Sequence, residues 1–330
     1  MRVKSFPSGT IIVSAMLVLI FKSSSCITGC SKGIELCIKS VIPALFPFLV
    51  LSPLLTSSMS FKLPCWLHKA LKIPDGGDSL WITGCLGGYP VGAQCIAQAA
   101  EREQISKRDA GRLLTFCCNC GPGFVFGICS SFFSEKWIAW ALWLCHITGS
   151  AVIGILLPGN RDSANLSPAP KQSFIAAFKK ALYAMAQICG WVILFRCLIE
   201  FIMDFGLETE SVSIRVILIG MLELTNGCLV LPLISNEGLR FLVCEALLCF
   251  GGLCVAMQTA SVARDIPLSY YFLGKIAQSI ISTFFAAAVW SAIHCKWYTL
   301  LSIATLLPII LILANTILKN YSGNFCPIGV

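Results

Sequence analysis

Apolar segments long enough to cross a lipid bilayer recur along most of this 330-residue chain. An α-helix needs about 20 consecutive apolar residues to span the hydrocarbon core. The segments that we interpret as spanning helices are 8–21, 34–58, 113–133, 137–157, 179–203, 241–262, 269–293 and 299–318. The pattern predicts an all-α polytopic membrane protein with about eight transmembrane helices.

Composition agrees with a chain whose main solvent is lipid. Charged residues make up 12% of the chain, about half of the roughly 25% that is typical of soluble domains. This excludes a soluble globular domain, a nucleic-acid-binding protein and a disordered protein. The net charge of +8 comes from 24 lysines and arginines against 16 acids, and in a membrane protein such an excess is typical of cytoplasmic loops.

Two further apolar segments, 79–100 and 213–234, are interrupted near their middle. The first contains Gly87-Gly88-Tyr89-Pro90-Val91-Gly92 and the second contains Glu223-Leu224-Thr225-Asn226-Gly227. Proline costs about 3 kcal/mol and glycine about 1 kcal/mol inside a helix, and broken backbone at membrane depth must be surrounded by protein or a wet cavity. Each segment is predicted to be a re-entrant hairpin of two half-helices, and a kinked spanning helix is the alternative.

The positions of the lysines and arginines favour the hairpins. With the N-terminus inside and two hairpins, most of the basic residues in the connecting loops fall on the inner side. When both segments span fully, the basic residues divide almost evenly between the two sides. The positive-inside rule therefore supports the hairpin topology.

The same order of parts occurs twice, and each copy crosses the membrane an odd number of times, so the second copy is inverted. The short sequences at 113–120 and 247–254 are similar to each other, which supports this pairing of the two halves. Inverted repeats with broken helices in matching places are typical of transporters with a site at the midplane. The predicted regions are an anchor helix and loop at 1–33, a first repeat at 34–157, a cytoplasmic linker at 158–178, a second repeat at 179–293 and a C-terminal helix and tail at 294–330.

Polar residues collect at the two predicted hairpin tips. Glu223 is an acid in an otherwise apolar run, where an ionisable group costs several kcal/mol. We interpret it as a group that binds a coupling proton or Na⁺, or that accepts a hydrogen bond from the solute; the alternative is a structural Glu capped by the backbone of its own hairpin. The exposed N–H groups of the half-helices are a natural site for an anion. The predicted substrate-binding residues are Gly88, Tyr89, Pro90, Gly92, Gln94, Asn119, Glu223, Thr225, Asn226 and Gly227.

Other polar residues have simpler interpretations. Arg196 and Glu200 are four residues apart and are predicted to pair on one helix face. Lys275 lies early in a span, where a lysine can extend its ammonium group to the interface. Gln258 is interpreted mainly as a residue that joins helices, and Ser106 as the N-cap of a helix that begins at Lys107.

The chain offers no pattern typical of an enzyme. The 19 cysteines lie mostly inside apolar runs, where they behave as small hydrophobic residues. The cluster of Cys117, Cys118 and Cys120 has no histidine close in sequence, so we predict packing instead of a metal site. With no nucleophile–base pair visible, we predict a protein without a catalytic site or a bound cofactor.

Several motifs resemble a known family. The motifs are Gly88-Tyr89-Pro90-Val91-Gly92-Ala93, Ile105-Ser106, Leu113-Leu114-Thr115-Phe116, Asn119-Cys120-Gly121-Pro122-Gly123-Phe124-Val125-Phe126-Gly127 and Glu223-Leu224-Thr225-Asn226-Gly227. They resemble the sporulation integral membrane proteins of the YlbJ type, which belong to the nucleoside-recognition "Gate" domain group related to concentrative nucleoside transporters.

The resemblance implies a function and a place in the cell. It implies a transporter in the bacterial cell membrane or the mother-cell-derived forespore membrane, with dipicolinate, a small aromatic dicarboxylate, as cargo. The expected partners are the small solute and the lipid bilayer, and a homo-oligomer remains open. The alternatives are a nucleoside-type transporter and a membrane assembly factor of spore formation that transports nothing.

Overall fold

A computed structural model describes most of the chain. It covers residues 9–58, 61–159, 166, 171–205, 211–295, 303–304 and 306–316. A part of each predicted region lies outside these residues: 1–8 of the first region, 59–60 of the first repeat, 160–165 and 167–170 of the linker, 206–210 of the second repeat, and 296–302, 305 and 317–330 of the last region. Helices form nearly all of the described structure.

The first half of the chain contains nine α-helices among its described residues. They are α1 (Gly9–Phe21), α2 (Ser23–Leu36), α3 (Ile42–Ser58), α4 (Cys65–Leu71), α5 (Asp78–Gly87), α6 (Val91–Glu101), α7 (Lys107–Cys117), α8 (Pro122–Gly127) and α9 (Trp137–Leu156). A π-helical turn, Cys37–Val41, joins α2 to α3, and a 3₁₀ turn, Cys129–Phe132, follows α8. Ser106 caps α7 as predicted, since its side chain accepts a hydrogen bond from the amide of Asp109.

The second half has the following helices. They are α10 (Phe174–Asp204), α11 (Val212–Leu222), α12 (Leu224–Leu229), α13 (Glu237–Phe250), α14 (Gly252–Val262), α15 (Ser269–Ile293) and α16 (Leu306–Thr316). A 3₁₀ turn, Leu231–Leu233, follows α12.

Five helical stretches within the described residues are long and apolar enough to cross a membrane. They are Ser23–Leu55, Trp137–Leu156, Phe174–Asp204, Glu237–Val262 and Ser269–Ile293. They confirm a membrane protein with several spanning helices and correspond to the predicted spans 34–58, 137–157, 179–203, 241–262 and 269–293. The described residues do not confirm the predicted total of about eight: α1 has 13 residues, about 20 Å at 1.5 Å per residue, and part of the predicted span 299–318 lies outside them.

The predicted span 113–133 is interrupted near its middle in the structure. Helix α7 ends at Cys117, residues 118–121 are not helical, and α8 begins at Pro122. Proline at the first position of a helix has no N–H to contribute to a preceding turn, which is why a new helix starts there. The segment is therefore two short helices with a break between them.

Both segments that were predicted to be hairpins consist of two consecutive short helices. Helices α5 and α6 meet at Gly88, whose φ of 75° favours glycine, and α11 and α12 meet at Glu223. Close glycine contacts bring the two helices of each hairpin together: a Cβ on Gly92 would approach the Cα of Gly84, and one on Gly227 would collide with Gly220. The breaks lie where the sequence places them.

The two halves make corresponding helix contacts. Helix α3 packs against α10, and α9 packs against α15. Helix α7 contacts α15 in the same way that α13 contacts α9. The two segments of similar sequence, 113–120 and 247–254, are also both broken, after Cys117 in the first and at Gly251 in the second.

Candidate functional site

A small buried cavity lies where the two hairpin tips meet. Its volume is about 40 Å³, which holds a few water molecules at most. Four of the predicted site residues line it: Gly88 and Tyr89 from the first tip, and Glu223 and Thr225 from the second. Cys120, Gly121 and Gln258 add to its wall, and most of the remaining lining is apolar. Gln258, which the sequence offers only as a weaker candidate for the site, therefore faces the cavity.

Glu223 is the N-cap of α12 and is 2% exposed. Its Oε1 accepts a hydrogen bond from the amide of Thr225 at 3.0 Å. Its Oε2 accepts from the amide and from the side-chain Nδ2 of Asn226, both at 2.7 Å. Glu223 thus caps its own hairpin, as the structural alternative predicts, and it also faces the cavity. Because these amides already have an acceptor, the start of α12 offers them to Glu223 and not to a bound anion.

A row of charged residues leads from the surface to the second tip. Arg196 donates to Glu200 at 2.6 Å, which confirms the predicted pair, and to Oδ1 of Asn226 at 3.4 Å. Lys32 on α2 also donates to Glu200 at 2.7 Å. The tip is therefore connected to α2 and α10 through side-chain contacts.

Four predicted residues support the tips without lining the cavity. Pro90 precedes α6 and is buried, and Gln94 is half-buried one turn further along. Gly92 contacts Gly84 and the carbonyl of Cys117, and Gly227 contacts Gly220. Their roles in the structure are those of helix packing and hairpin closure.

Asn119 is buried in the helix packing and is not one of the residues that line the cavity. Its Nδ2 donates to the carbonyl of Phe116 at 2.8 Å and to the hydroxyl of Ser150 at 3.1 Å. Its Oδ1 accepts from Nε2 of Gln278 at 3.2 Å. Asn119 thus joins the break after α7 to α9 and α15.

Lys275 does not extend to the membrane interface, contrary to the prediction. It is 1% exposed, and its ammonium group donates to the carbonyl of Cys118 and to Oε1 of Gln278, the latter at 2.8 Å. The physical reason is the break after α7: a carbonyl freed from a helix in an apolar interior needs a donor. The ammonium group also lies 5.3 Å from the ring centre of Tyr89, a cation–π contact with the first tip.

The sequence analysis missed two buried residues beside this break. Nε2 of His146 accepts from the amide of Cys120 at 2.9 Å, and its Nδ1 lies 3.1 Å from Sγ of Cys249. Cys249 in turn donates to Oε1 of Glu245 at 3.3 Å. Glu245 is a second acid inside an apolar span, the same signal that drew attention to Glu223, and could have been found that way.

Three groups of side chains among the described residues bring thiol, imidazole or carboxylate atoms within 4.8 Å of one another. They are Cys26, Cys30 and Cys197; Cys129, Cys228 and Cys244; and His146, Glu245 and Cys249. Three thiols can bind a soft ion such as Cu⁺, and cysteines also meet in this way when they pack as apolar residues. In the third group the amide of Cys120 occupies Nε2 of His146, so Nδ1 carries the proton and has no lone pair to offer a metal.

A second cavity lies on the flank of the first hairpin and is basic. Its volume is about 110 Å³. Arg102 and Lys180 contribute positive charge, and Gln98, Gln104 and Thr83 contribute neutral polar groups. The described residues that line it include no acid, whereas Glu223 lines the cavity between the tips.

Comparison with known proteins identifies one relative. No family model matches the chain, and no solved structure matches it significantly. The chain is similar to the sporulation integral membrane protein YlbJ of Bacillus subtilis (strain 168), with 22% identity over 321 residues that cover 81% of this chain and 78% of that protein. This similarity confirms the resemblance to YlbJ-type proteins, and together with the apolar helices it shows that the chain is a multi-pass integral membrane protein that is homologous to a sporulation protein.

Proposed function

We propose that the protein is a transporter of a small polar or anionic solute that acts during sporulation. The observation that carries the proposal is the cavity between the two hairpin tips, lined from both halves of the chain. Broken helices that face each other around a buried cavity are what a transporter uses to bind a solute at membrane depth.

The arrangement of the halves supports an inverted repeat. Equivalent helices contact each other, α3 with α10 and α9 with α15, and the contact of α7 with α15 corresponds to that of α13 with α9. We infer that segments 79–100 and 213–234 enter and leave the membrane on the same side. Such a repeat lets one half move against the other around a fixed site, which is the basis of alternating access.

The size of the tip cavity implies that the site must open. Binding sites for small molecules usually occupy about 300–1,000 Å³, far more than the tip cavity of about 40 Å³. We therefore interpret the described arrangement as closed around the site. Opening would separate the two tips from each other. Each hairpin, held together by its glycine contacts, would then move as one unit.

The basic cavity supports an anionic solute. Arg102 and Lys180 attract negative charge and lie on the flank of the same hairpin whose tip reaches the central cavity. A cavity lined by one sign of charge raises the local concentration of the opposite sign. Dipicolinate, the cargo that the resemblance implies, is such an anion, and we propose it as the first solute to test.

The test is uptake of labelled dipicolinate into proteoliposomes that contain the purified protein. Glu223→Gln removes the charge that faces the cavity and weakens the hydrogen bonds that Glu223 accepts from Thr225 and Asn226. Because hydrogen bonds to a charged group contribute about 1.5–3 kcal/mol, the uptake rate is expected to fall by about tenfold or more. Glu35→Gln is the matched control, since Glu35 is exposed and pairs only with Lys39 among the described residues. Uptake by Glu223→Gln at the normal rate would exclude Glu223 from the site, and no uptake of dipicolinate or nucleosides by the unaltered protein would favour an assembly factor.

A further inference from the structure

Glu245 is a buried acid with little hydrogen bonding. It lies within α13 and is 0% exposed. Its Oε1 accepts the thiol hydrogen of Cys249 at 3.3 Å, and its Oε2 has no hydrogen-bond partner among the described residues. A thiol is a weak donor, so this carboxyl group is poorly satisfied.

Backbone capping explains two buried polar side chains of this region, Lys275 and His146, but leaves Glu245 unexplained. Lys275 donates to the carbonyl of Cys118, and His146 accepts from the amide of Cys120. Both side chains satisfy backbone groups that the break after α7 exposes. Glu245 makes no hydrogen bond with the backbone within the described structure, so it does not have this structural role.

The surroundings of Glu245 favour its protonated form. An isolated carboxylate in an apolar interior is very costly because it loses its hydration. Glu223 has three N–H donors that replace water, whereas Glu245 has one thiol. Of the two buried acids, Glu245 is therefore the one whose charge the folded protein does least to stabilise.

A chain of hydrogen bonds connects Glu245 to the wall of the tip cavity. The amide of Cys120 donates to Nε2 of His146, and this fixes the tautomer in which Nδ1 carries the proton. Nδ1 then donates to the sulfur of Cys249, and the thiol of Cys249 donates to Glu245. Cys120 itself lines the tip cavity. A change of charge at Glu245 therefore acts on the segment that forms this wall.

We propose that Glu245 binds the coupling proton of the transport cycle. The proposal rests on the proposed function and adds the coupling ion to it. In one orientation Glu245 takes up one proton from water on one side of the membrane, which changes its charge from −1 to 0. In the other orientation it releases that proton to water on the opposite side.

The titratable groups around Glu245 come from several elements. Cys145 and His146 face it from α9, Cys120 from the break, and Cys244 and Cys249 from its own helix. Lys275 on α15 interacts electrostatically with Cys249 and is the last of these titratable groups among the described residues. The thiols and the neutral imidazole carry no charge. Among these groups, Lys275 supplies the positive charge nearest to the chain of hydrogen bonds.

The test compares accumulation of labelled dipicolinate by proteoliposomes under an imposed gradient of about one pH unit. With the membrane potential held at zero, one proton carried per solute supports about tenfold accumulation in the unaltered protein, because one pH unit corresponds to a factor of ten. Glu245→Gln mimics the protonated group permanently, so its inside-to-outside ratio is expected to stay near 1. Exchange between equal solute concentrations, which needs no net proton movement, is expected to continue. Glu135→Gln, at an exposed position, is expected to accumulate like the unaltered protein.

A second readout does not depend on the solute. The infrared absorption of protonated carboxyl groups at neutral pH is compared between the unaltered protein and Glu245→Gln, with elution in size-exclusion chromatography as the control for folding. We expect the variant to lose one such absorption. Undiminished accumulation by Glu245→Gln would overturn the proposal. If the unaltered protein carries no solute, the proposed function fails, and the infrared difference alone then decides: its absence would overturn proton binding at Glu245 and its presence would support it.

Discussion

Replacing Asn119 with Leu is expected to lower the free energy of unfolding by about 3 kcal/mol, because a buried group left without its partner costs about 1–3 kcal/mol. The side chain bonds the carbonyl of Phe116, the hydroxyl of Ser150 and the amide of Gln278. Leucine is similar in size but makes none of these hydrogen bonds. The interior also gains no charge, so the sign of the effect follows from hydrogen bonding alone. The measurement is thermal or denaturant unfolding of the purified protein in detergent.

Gln187→Leu is the matched control for this substitution. Gln187 is half-buried on α10, and its one hydrogen bond that the structure gives is a long contact of 3.4 Å with Tyr183. We expect its stability to change by about 0.5 kcal/mol or less, as at most positions away from special features. Equal stability of Asn119→Leu and Gln187→Leu would show that Asn119 does not join the helices around the break.

Gly84→Ala is expected to destabilise the protein by about 3 kcal/mol or more, because overpacking a tight site costs about 1–3 kcal/mol and occasionally more. The added methyl group would collide with the carbonyl of Cys117, which is backbone and has no side-chain freedom with which to move away. Helix α5 would have to separate from the end of α7, and the first hairpin would lose its contact with the break. Unfolding in detergent measures the effect.

Gly190→Ala tests the same chemical change in open space. A methyl group on Gly190 meets no atom within 4 Å, and alanine is favoured over glycine inside a helix by about 1 kcal/mol. We therefore expect opposite signs for Gly84→Ala and Gly190→Ala. A Gly84→Ala protein that is as stable as the Gly190→Ala protein would contradict the close packing of the first hairpin.

The sequence could predict where the backbone breaks because proline, glycine and a buried acid act locally. The interruptions at Gly88 and Glu223 both join two short helices in the structure. Long apolar runs also identified five of the spanning helices. Within the predicted span 113–133, Pro122 likewise marks the point at which the structure starts a new helix.

The sequence could not predict which side chains would form hydrogen bonds with the residues of the break after α7. Lys275 is 157 residues from Cys118, and Gln278 is 159 residues from Asn119, so no local pattern connects them. A lysine near the start of a span has the same sequence signal whether its ammonium group reaches the interface or caps a carbonyl. Only the packing of α15 against α7 decides between these positions.

The site was predictable in part for the same reason. Glu223, Thr225, Gly88 and Tyr89 lie at local breaks, and the structure places them around one cavity. Asn119 also lies at a break, but its side chain is used by neighbouring helices. Which side of a break faces the cavity depends on the tertiary contacts.

The central claim, that the solute binds between the two hairpin tips, is tested most directly at Cys120. This native thiol lines the tip cavity, whereas Cys65 is exposed on α4. The rate at which a small thiol reagent labels each residue in proteoliposomes is measured by mass spectrometry, with and without saturating dipicolinate. We predict that dipicolinate slows the labelling of Cys120 and leaves that of Cys65 unchanged. Equal labelling of Cys120 with and without dipicolinate, in vesicles that take up the solute, would contradict a binding site between the tips.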